Sequence, residues 1–514
     1  MEATTKRAVR STGIYLLGAI AERGALFLIL PILTRHLTAY EYGTFALLTV
    51  IGSAINCLVY YPVAVAAERY FYEPHYQGLR GSFVTGLLTI LIGKALIAAA
   101  VFWCLSEQIS ALLTVQGESI SVSAYSAVVA LSPVALMSIL LLQLSQRAAT
   151  CVFASTFGIC TGSAVSIFLL IGCDFGFESL VIGQIVQHAL VAALLSPHVV
   201  RLAGSRFRWD ILAAPMRWAY SLLPAAYSDL MVQSGDRYLL AGFCGPAAVG
   251  VYDLGCRVSS VITLLLSQPL KRSLAPIILQ MENDPVRQRR FISGCATWFY
   301  LLGLVLAVTL ATFAREIIVL LAPDRSYWAA WTIVPITVFA SVQHGTGQFF
   351  NYGLVMARRG GIDSGCLLVS AAANVALNLV LIPWLGIVGA ALSTLGSLVI
   401  WNGLKIHFSR RLYGITFDLR RIGHATFLAA TMIGIATFLE LTVGSTFQFT
   451  PGVKLCCVVG FPATLLLTRF LTMAESGIAG QWVNRLFRKL IKAKRGAAAS
   501  QIHREAAVGG GDCI

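Results

Sequence analysis

Ionisable residues stand inside several long apolar stretches of this sequence. Burying a charge in hydrocarbon is so costly that each of them is a candidate for function. Asp229, Gln233 and Asp236 follow the spacing i, i+4 and i+7, which places them on one face of a helix. Asp253 and Arg257 are four residues apart and can pair. The whole set comprises Glu22, Arg23, Lys94, Asp229, Gln233, Asp236, Arg237, Asp253 and Arg257.

Neutral polar residues form a second helical stripe further along the chain. Their spacing puts them on one face, and sugar hydroxyls need many neutral donors and acceptors, so the stripe would suit a lumen that holds a glycan. The alternative is hydrogen bonding between helices, which is common in membranes. Interhelical hydrogen bonding is favoured for Asn374 and Asn378. For the residues between Gln343 and Tyr352, a glycan lumen and interhelical hydrogen bonding both remain open. The residues are Gln343, His344, Gly347, Gln348, Asn351 and Tyr352, followed by Ser370, Asn374 and Asn378.

Composition predicts the elements that must position these residues. The sequence is 57% hydrophobic and 12% charged, with a mean hydropathy of +0.77, which excludes an ordinary water-soluble domain. A membrane-spanning helix needs about 20 mostly apolar residues, and the windows that fit predict an all-α polytopic membrane protein of about fourteen spans. The first, seventh and eighth would form a polar cavity, with Pro224 loosening the seventh. The windows are 11–35, 42–67, 81–104, 121–143, 150–172, 177–200, 217–241, 247–269, 292–314, 331–353, 364–383, 386–404, 423–443 and 450–472.

Basic residues alternate between the connections of these spans. Only Arg35, Arg315 and Arg325 of the 38 Lys and Arg residues fall in connections predicted to be external. Because Lys and Arg accumulate on the cytoplasmic side, the pattern predicts a cytoplasmic (inner) membrane protein with both termini cytoplasmic. A cleaved signal peptide over residues 1–21 is disfavoured, since the apolar stretch continues through Leu33.

Two pairs of similar segments indicate an internal repeat. Residues 37–47 match residues 244–254 in outline, and residues 176–180 match 386–390 at nearly the same offset. We predict two six-helix lobes, 1–200 and 218–408, joined by a cytoplasmic linker, 201–217. A pseudo-two-fold axis along the membrane normal would relate them, with a transport pathway at their interface. Residues 409–472 would add two helices outside the repeat.

The C-terminal residues predict a peripheral element. Residues 473–495 place Trp482, Leu486 and Leu490 on one side of a helix and basic residues opposite, as in an interfacial helix on anionic lipid. Residues 496–514 are expected to be disordered. The membrane tether makes a nucleic-acid partner improbable.

No pattern in the sequence predicts catalysis. The twelve cysteines lack paired CxxC spacing and lie mostly in predicted spans, so we interpret them as packing residues rather than metal ligands. No nucleotide-binding loop or nucleophile triad stands out. We expect no enzyme activity, cofactor or metal.

Three stretches of the sequence carry a resemblance to a known family: residues 30–43, residues 236–252 and residues 374–391. They resemble polysaccharide-transport flippases, the Wzx-type branch of the multidrug/oligosaccharidyl-lipid/polysaccharide (MOP) exporter superfamily. The resemblance covers essentially the whole chain. It implies translocation of a prenyl-pyrophosphate-linked oligosaccharide repeat unit from the cytoplasmic to the outer leaflet by alternating access, for exopolysaccharide, capsule or O-antigen. It also implies membrane lipids and a polysaccharide polymerase with export machinery as partners.

A pyrophosphate cargo would need fixed cations in a pocket of low dielectric. Arg23, Arg237 and Arg257 are the candidates, and Lys94 is a weaker one. The alternative is that each arginine is neutralised by its neighbour and simply pins helices together. Both interpretations stay open for Arg23 and Arg257, and pinning is favoured for Arg237. The neighbouring carboxylates are Glu22, Asp236 and Asp253.

The membrane potential is a sufficient energy source for such a cargo. Moving one negative charge outward down a negative-inside potential yields about 2.3 kcal/mol per 100 mV. Proton or sodium antiport is an additional hypothesis. The carboxylates that could couple it are Glu22, Asp229, Asp236 and Asp253.

Three other functions compete with this interpretation. A drug or cation antiporter of the same superfamily usually has twelve helices rather than fourteen. A lipid II flippase tends to have more arginines in its cavity. A membrane glycosyltransferase or polymerase would be expected to show a long extramembrane domain with paired carboxylates, whereas the loops here are short and basic.

Overall fold

The computed structural model describes residues 29–113, 119–204, 207–267, 284–443 and 450–467, with a few single positions between these ranges. Within them the regular structure is helical, without a β-strand, as predicted. Nine of the described helices are long and apolar enough to cross a membrane. The chain is therefore an all-α, multi-pass membrane protein. The predicted count of about fourteen is compatible with this, because several predicted spans correspond to broken helices.

The N-terminal half contains seven described helices, preceded by helical residues 29–36. A capping box starts the first: Thr38 accepts a hydrogen bond from the Glu41 N–H (3.2 Å), and the Glu41 carboxylate accepts one from the Thr38 N–H (2.8 Å). A 3₁₀ turn, Pro74–Leu79, precedes α3. The helices are α1 Ala39–Val59, α2 Tyr61–Tyr70, α3 Arg80–Cys104, α4 Ser106–Leu112, α5 Ser119–Leu144, α6 Ala148–Gly172 and α7 Glu178–Leu202.

The C-terminal half begins inside the predicted linker 201–217, because its first helix starts at Ala213 and packs on α2. A 3₁₀ segment, Arg325–Thr332, precedes α14, and α18 and α19 pack on α12. The predicted helix 473–495 and tail 496–514 lie outside the described residues. The helices are α8 Ala213–Tyr220, α9 Leu223–Ser234, α10 Asp236–Cys244, α11 Pro246–Ile262, α12 Pro285–Thr312, α13 Ala314–Leu321, α14 Val334–Phe350, α15 Tyr352–Met356, α16 Gly360–Leu385, α17 Ile387–Tyr413, α18 Leu419–Val443 and α19 Thr450–Leu467.

The predicted span 217–241 is broken into three helices rather than loosened at one point. Pro224 lies in the first turn of α9, where its missing N–H costs no helical hydrogen bond. A second break falls at Gly235. As a result, Asp236 opens α10, and a carboxylate in the first turn of a helix interacts favourably with the helix dipole.

The two halves meet along α1 and α11, where two glycines allow their backbones to touch. A Cβ on Gly43 would lie 1.8 Å from the carbonyl oxygen of Pro246, and a Cβ on Gly250 would lie 2.2 Å from that of Ala39. In the aligned repeat, Gly43 corresponds to Gly250 and Ala39 to Pro246. Each half therefore makes the same contact to the other, as contacts across a two-fold axis do. The two-lobe division stays a prediction, and this reciprocal contact supports it.

Hydrogen bonds also join the two halves next to the N-terminal end of α1. The Thr34 hydroxyl donates to the carbonyl of Leu321 (2.6 Å), and the Tyr327 hydroxyl donates to the carbonyl of Leu37 (3.0 Å). Buried apolar residues from both halves, including Tyr42 and Leu254, share one core here. The N-terminal ends of α1 and α11 are thus sealed against each other.

Candidate functional site

A polar cavity of about 440 Å³ lies among α9, α10, α11, α14 and α17. Four of these helices belong to predicted spans seven, eight and ten, and α17 to span twelve. Hydroxyl, amide and charged groups make up most of its wall, and a cavity of this kind among membrane-spanning helices is a candidate substrate site. Its polar wall residues are Asp229, Gln233, Asp236, Arg237, Tyr252, Ser259, Ser260, Thr263, Ser267, Thr337, Ser341, His344, Gln348 and Thr394.

A chain of four alternating charges begins at the wall of this cavity, where Asp236 and Arg237 lie, and continues away from it to Asp253 and Arg257. Arg237 lies 3.0 Å from Asp253 and 3.4 Å from Asp236, measured between side-chain nitrogen and carboxylate oxygen. The Arg257 Nε donates to the other oxygen of Asp253 at 2.8 Å, which is the predicted i, i+4 pair. Two positive and two negative groups therefore balance one another. The chain ties α10 to α11 through charge-assisted hydrogen bonds.

Hydroxyl groups donate further hydrogen bonds to both carboxylates of this chain, Asp236 and Asp253. The Tyr252 hydroxyl donates to Asp236, and so does the Thr394 hydroxyl of α17 at 3.1 Å. The Tyr42 hydroxyl of α1 donates to Asp253 at 3.2 Å. Asp253 thus joins α1 of one half to α11 of the other. The network spans the interface between the halves as well as the cavity wall.

The cations of the network differ in exposure. The Arg237 side chain is 12% exposed and lies between two carboxylates, whereas that of Arg257 is 35% exposed and pairs with one of them. Arg257 also lies over the Tyr42 ring, 5.4 Å from its centroid. Of the two, Arg257 has the larger surface open to an anionic group. Arg237 is the one on the wall of the cavity.

Asp229 is the carboxylate of the wall that stands outside this network. Its oxygen accepts a hydrogen bond from the Gln233 Nε2 at 2.6 Å, within the predicted stripe of α9. No ion pair joins it to a base among the residues that the structure describes. The cavity wall therefore contains one carboxyl group beyond the balanced chain.

The predicted glycan stripe divides between the cavity and helix packing. His344 and Gln348 line the cavity. Gln343 instead faces α17, where its side-chain oxygen accepts a hydrogen bond from Asn402 at 2.8 Å. Tyr352 packs against the Phe349 ring. Adjacent stripe positions thus have different partners.

Asn351 and Asn374 also lie between helices. The Asn351 amide donates to Asp363 of α16 at 3.1 Å. Asn374 is fully buried, and its amide donates to the Ser397 hydroxyl at 3.2 Å. The Asn374 side-chain oxygen accepts a hydrogen bond from the Asn378 amide at 2.9 Å. These contacts agree with the interhelical alternative, and neither residue lines the cavity.

Lys94 lies away from the cavity, at the break between α1 and α2. Its ammonium donates to the carbonyls of Leu58 (2.6 Å) and Val59 (3.1 Å), and it lies 5.0 Å from the centroid of the Tyr220 ring. These carbonyls have lost their helical partners at the end of α1. The structure therefore gives Lys94 a capping contact. Glu22 and Arg23 lie outside the described residues.

Tyr42, Tyr252 and Thr394 are residues of the site that sequence reasoning missed. Tyr252 lies within the repeated segment, which was the one available signal. Thr394 belongs to a helix rich in small residues, and nothing in its sequence indicates that it contacts Asp236. Their roles depend on which helices become neighbours.

The family of the chain follows from its sequence. The profile of a family described as "Polysaccharide biosynthesis protein" matches residues 32–328, more than half of the chain and most of the cavity wall. The chain belongs to this family. The predicted resemblance to polysaccharide-transport proteins is thereby confirmed.

Two curated relatives of this polysaccharide biosynthesis protein come from Haloferax volcanii. The probable low-salt glycan biosynthesis flippase Agl15 is 25% identical over 291 residues, which cover 54% of this chain and 61% of that protein. The probable flippase AglR is 25% identical over 272 residues, which cover 51% of this chain and 54% of that protein. The chain thus spans between about half and three fifths of the length of these relatives.

Solved structures show that this polysaccharide biosynthesis protein has the MOP-type transporter fold. The lipid II flippase MurJ in an inward closed conformation gives a TM-score of 0.69 at 11% identity, covering 87% of this chain and 98% of that one. An inward-facing multidrug resistance MATE family transporter of the MOP superfamily gives 0.58 at 11% identity, covering 76% and 99%. At such identities the similarity concerns the fold alone.

Proposed function

We propose that this polysaccharide biosynthesis protein is a flippase that moves a prenyl-pyrophosphate-linked oligosaccharide repeat unit from the cytoplasmic to the outer leaflet. The observation that carries the proposal is the cavity among spanning helices, whose wall combines hydroxyl and amide groups with Arg237 and the carboxyl groups of Asp229 and Asp236. Sugars are bound by such neutral groups, and phosphate oxygens by guanidinium. The names of the two Haloferax relatives support it. The product would serve exopolysaccharide, capsule or O-antigen synthesis.

The arginines would bind the pyrophosphate through the parts of their guanidinium groups that are not paired with a carboxylate. Arg257 offers the larger open surface, and Arg237 adds a second guanidinium on the cavity wall. His344 and Gln348 would hydrogen-bond to the sugars. Because each of these arginines is already paired with a carboxylate, the cargo would meet no bare cation and could also leave.

Alternating access would require the interface between α1 and α11 to open and close. The close backbone contact at Gly43 and Gly250 would form when the outer end is shut, since the predicted topology places the start of α1 at that side. Rocking of the two six-helix lobes about this contact would expose the cavity to each leaflet in turn. Both termini would be cytoplasmic.

The membrane potential would drive export of the negatively charged cargo. Asp229 is the residue best placed for additional ion coupling, because Asp236 and Asp253 are already paired with arginine. A polysaccharide polymerase and export machinery would take over the flipped product.

Deleting the gene in its host tests this function. We expect glycan-bearing prenyl lipids to accumulate, with their sugars on the cytoplasmic side of the membrane, because synthesis continues while export stops. Mass spectrometry of extracted lipids identifies the sugars, and a membrane-impermeant oxidant applied to intact cells reports their side. An unchanged lipid pool together with new sensitivity to cationic drugs would contradict the proposal and favour an antiporter.

A further inference from the structure

A second, smaller cavity of about 170 Å³ lies in the N-terminal half, among α1, α5 and α7. It is separate from the cavity described above, since the two share no wall residue. The sequence did not predict this cavity. Its origin becomes clear when the internal repeat is applied to its wall.

The wall of the small cavity matches the wall of the large one position by position. On α1, the offset that relates Gly43 to Gly250 carries Thr49, Gly52, Ser53 and Asn56 onto Cys256, Ser259, Ser260 and Thr263. On α7, the offset that relates Gly176 to Gly386 carries Gln184 and His188 onto Thr394 and Leu398.

The third wall follows the same rule. A constant offset between α5 and α14 carries Tyr125, Val128, Val129, Ser132 and Leu136 onto Thr337, Ala340, Ser341, His344 and Gln348. Every described wall residue of the small cavity therefore has a counterpart in the large one. The two cavities are the same feature of the repeat, formed once in each half.

The two cavities differ in the chemistry of their walls. Asp229, Asp236 and Arg237 line the large cavity, whereas no Asp, Glu, Lys or Arg is among the described residues that line the small one. The polar groups among those described residues are amides, hydroxyls and the His188 imidazole. Among the described residues of this wall, a pyrophosphate would find no cation, and a metal cation no carboxylate to balance its charge.

Two amide groups of the small cavity are incompletely paired. The Asn56 Nδ2 donates to the Ser132 hydroxyl at 3.0 Å, but the Asn56 Oδ1 and the Gln184 Oε1 are buried without a hydrogen-bond partner among the described residues. A buried acceptor without a donor destabilises the fold, so such a pair of acceptors in one cavity points to a ligand that supplies donors.

We propose that the small cavity binds neutral hydroxyl groups of the sugars in the cargo, with the Asn56 and Gln184 amide oxygens accepting their hydrogen bonds. This rests on the proposed function and deepens it. One half would hold the charged part of the cargo through the Arg237 network, and its pseudo-symmetric partner would hold part of the glycan.

Gln184→Met tests the proposal, because methionine has nearly the same shape and removes both polar atoms. Two probes are titrated onto the purified full-length protein in nanodiscs: the glycan-bearing prenyl lipid extracted from cells that lack the gene, and a prenyl pyrophosphate without sugar. We expect the variant to bind the glycan-bearing lipid about three- to tenfold more weakly and the sugar-free lipid equally well. Without ligand, its melting temperature should rise, since an unpaired buried acceptor is gone.

Gln143→Met is the matched control, because it makes the same substitution at an exposed position of α5 that lines neither cavity, and it should leave both affinities unchanged. Equal weakening for the two probes, unchanged binding of the glycan-bearing lipid, or stabilisation of the wild-type protein by sodium chloride in place of the lipid overturns the inference. Wild-type protein that binds neither probe contradicts the proposed function itself.

Discussion

Gly43→Ala is expected to destabilise this protein by about 1–3 kcal/mol and to abolish transport. Elsewhere in a helix, the same change adds stability, because alanine has the higher helix propensity. At Gly43, the new methyl carbon would lie 1.8 Å from the Pro246 carbonyl oxygen, so α1 and α11 must move apart. The backbone of α11 cannot rotate away as a side chain can.

A matched variant separates packing from propensity. Gly93 lies within α3, where an added methyl group would meet no neighbouring atom within 4 Å, so Gly93→Ala should leave the melting temperature unchanged or raise it. Gly250→Ala should repeat the Gly43→Ala loss, since the contact is reciprocal. Because both glycines serve one contact, the double variant should lose less than the sum of the single losses. Equal stability of Gly43→Ala and Gly93→Ala would refute the close approach.

Asp253→Asn should destabilise the protein by about 3–5 kcal/mol. This carboxylate accepts hydrogen bonds from Arg237, Arg257 and Tyr42 in a largely desolvated place. Its loss leaves Arg257 without its charge partner, and Arg237 keeps only the longer contact to Asp236. Thermal unfolding of the purified variant measures the effect. Transport should fall as well, because the network joins the two halves.

Asp210→Asn is the control for the loss of a carboxylate. Asp210 pairs with Arg208 at the surface, with the carboxyl side chain 60% exposed, and exposed ion pairs contribute little to stability, so the melting temperature should hardly change. Adding Arg257→Gln to Asp253→Asn should restore part of the lost stability, since it removes one unpaired charge. A stable Asp253→Asn protein would show that the network does not hold α10, α11 and α1 together.

Sequence patterns predicted the features that depend on residues close together in the chain or on the internal repeat. Hydropathy predicted the helical membrane fold, and the spacing of Asp253 and Arg257 predicted an ion pair that the structure contains. The repeat paired Gly43 with Gly250, which meet at the interface. Each of these follows from composition, helical period or internal similarity.

Features that depend on tertiary neighbours could not be predicted in this way. The helical period predicts that Gln343 and His344 lie on the same side of their helix. It does not predict that Gln343 contacts Asn402 while His344 lines the cavity. Thr394 reaches Asp236 from a helix far away in sequence. Lys94 was predicted to face a cavity because it lies midway along its helix. Pro62 marks the break that Lys94 caps, since a proline has no N–H to donate to the Leu58 carbonyl four residues before it, but the sequence does not show that Lys94 reaches this break.

The most direct test of the central claim is the movement of the cargo across a membrane by the purified protein. The glycan-bearing prenyl lipid from cells that lack the gene is reconstituted into liposomes with the protein, and a membrane-impermeant oxidant reports the fraction of sugar on the outside. We predict that nearly all of the lipid becomes accessible over time, and faster when the potential draws negative charge outward. Accessibility that stops at the outer-leaflet fraction, as in liposomes without protein, would contradict the account.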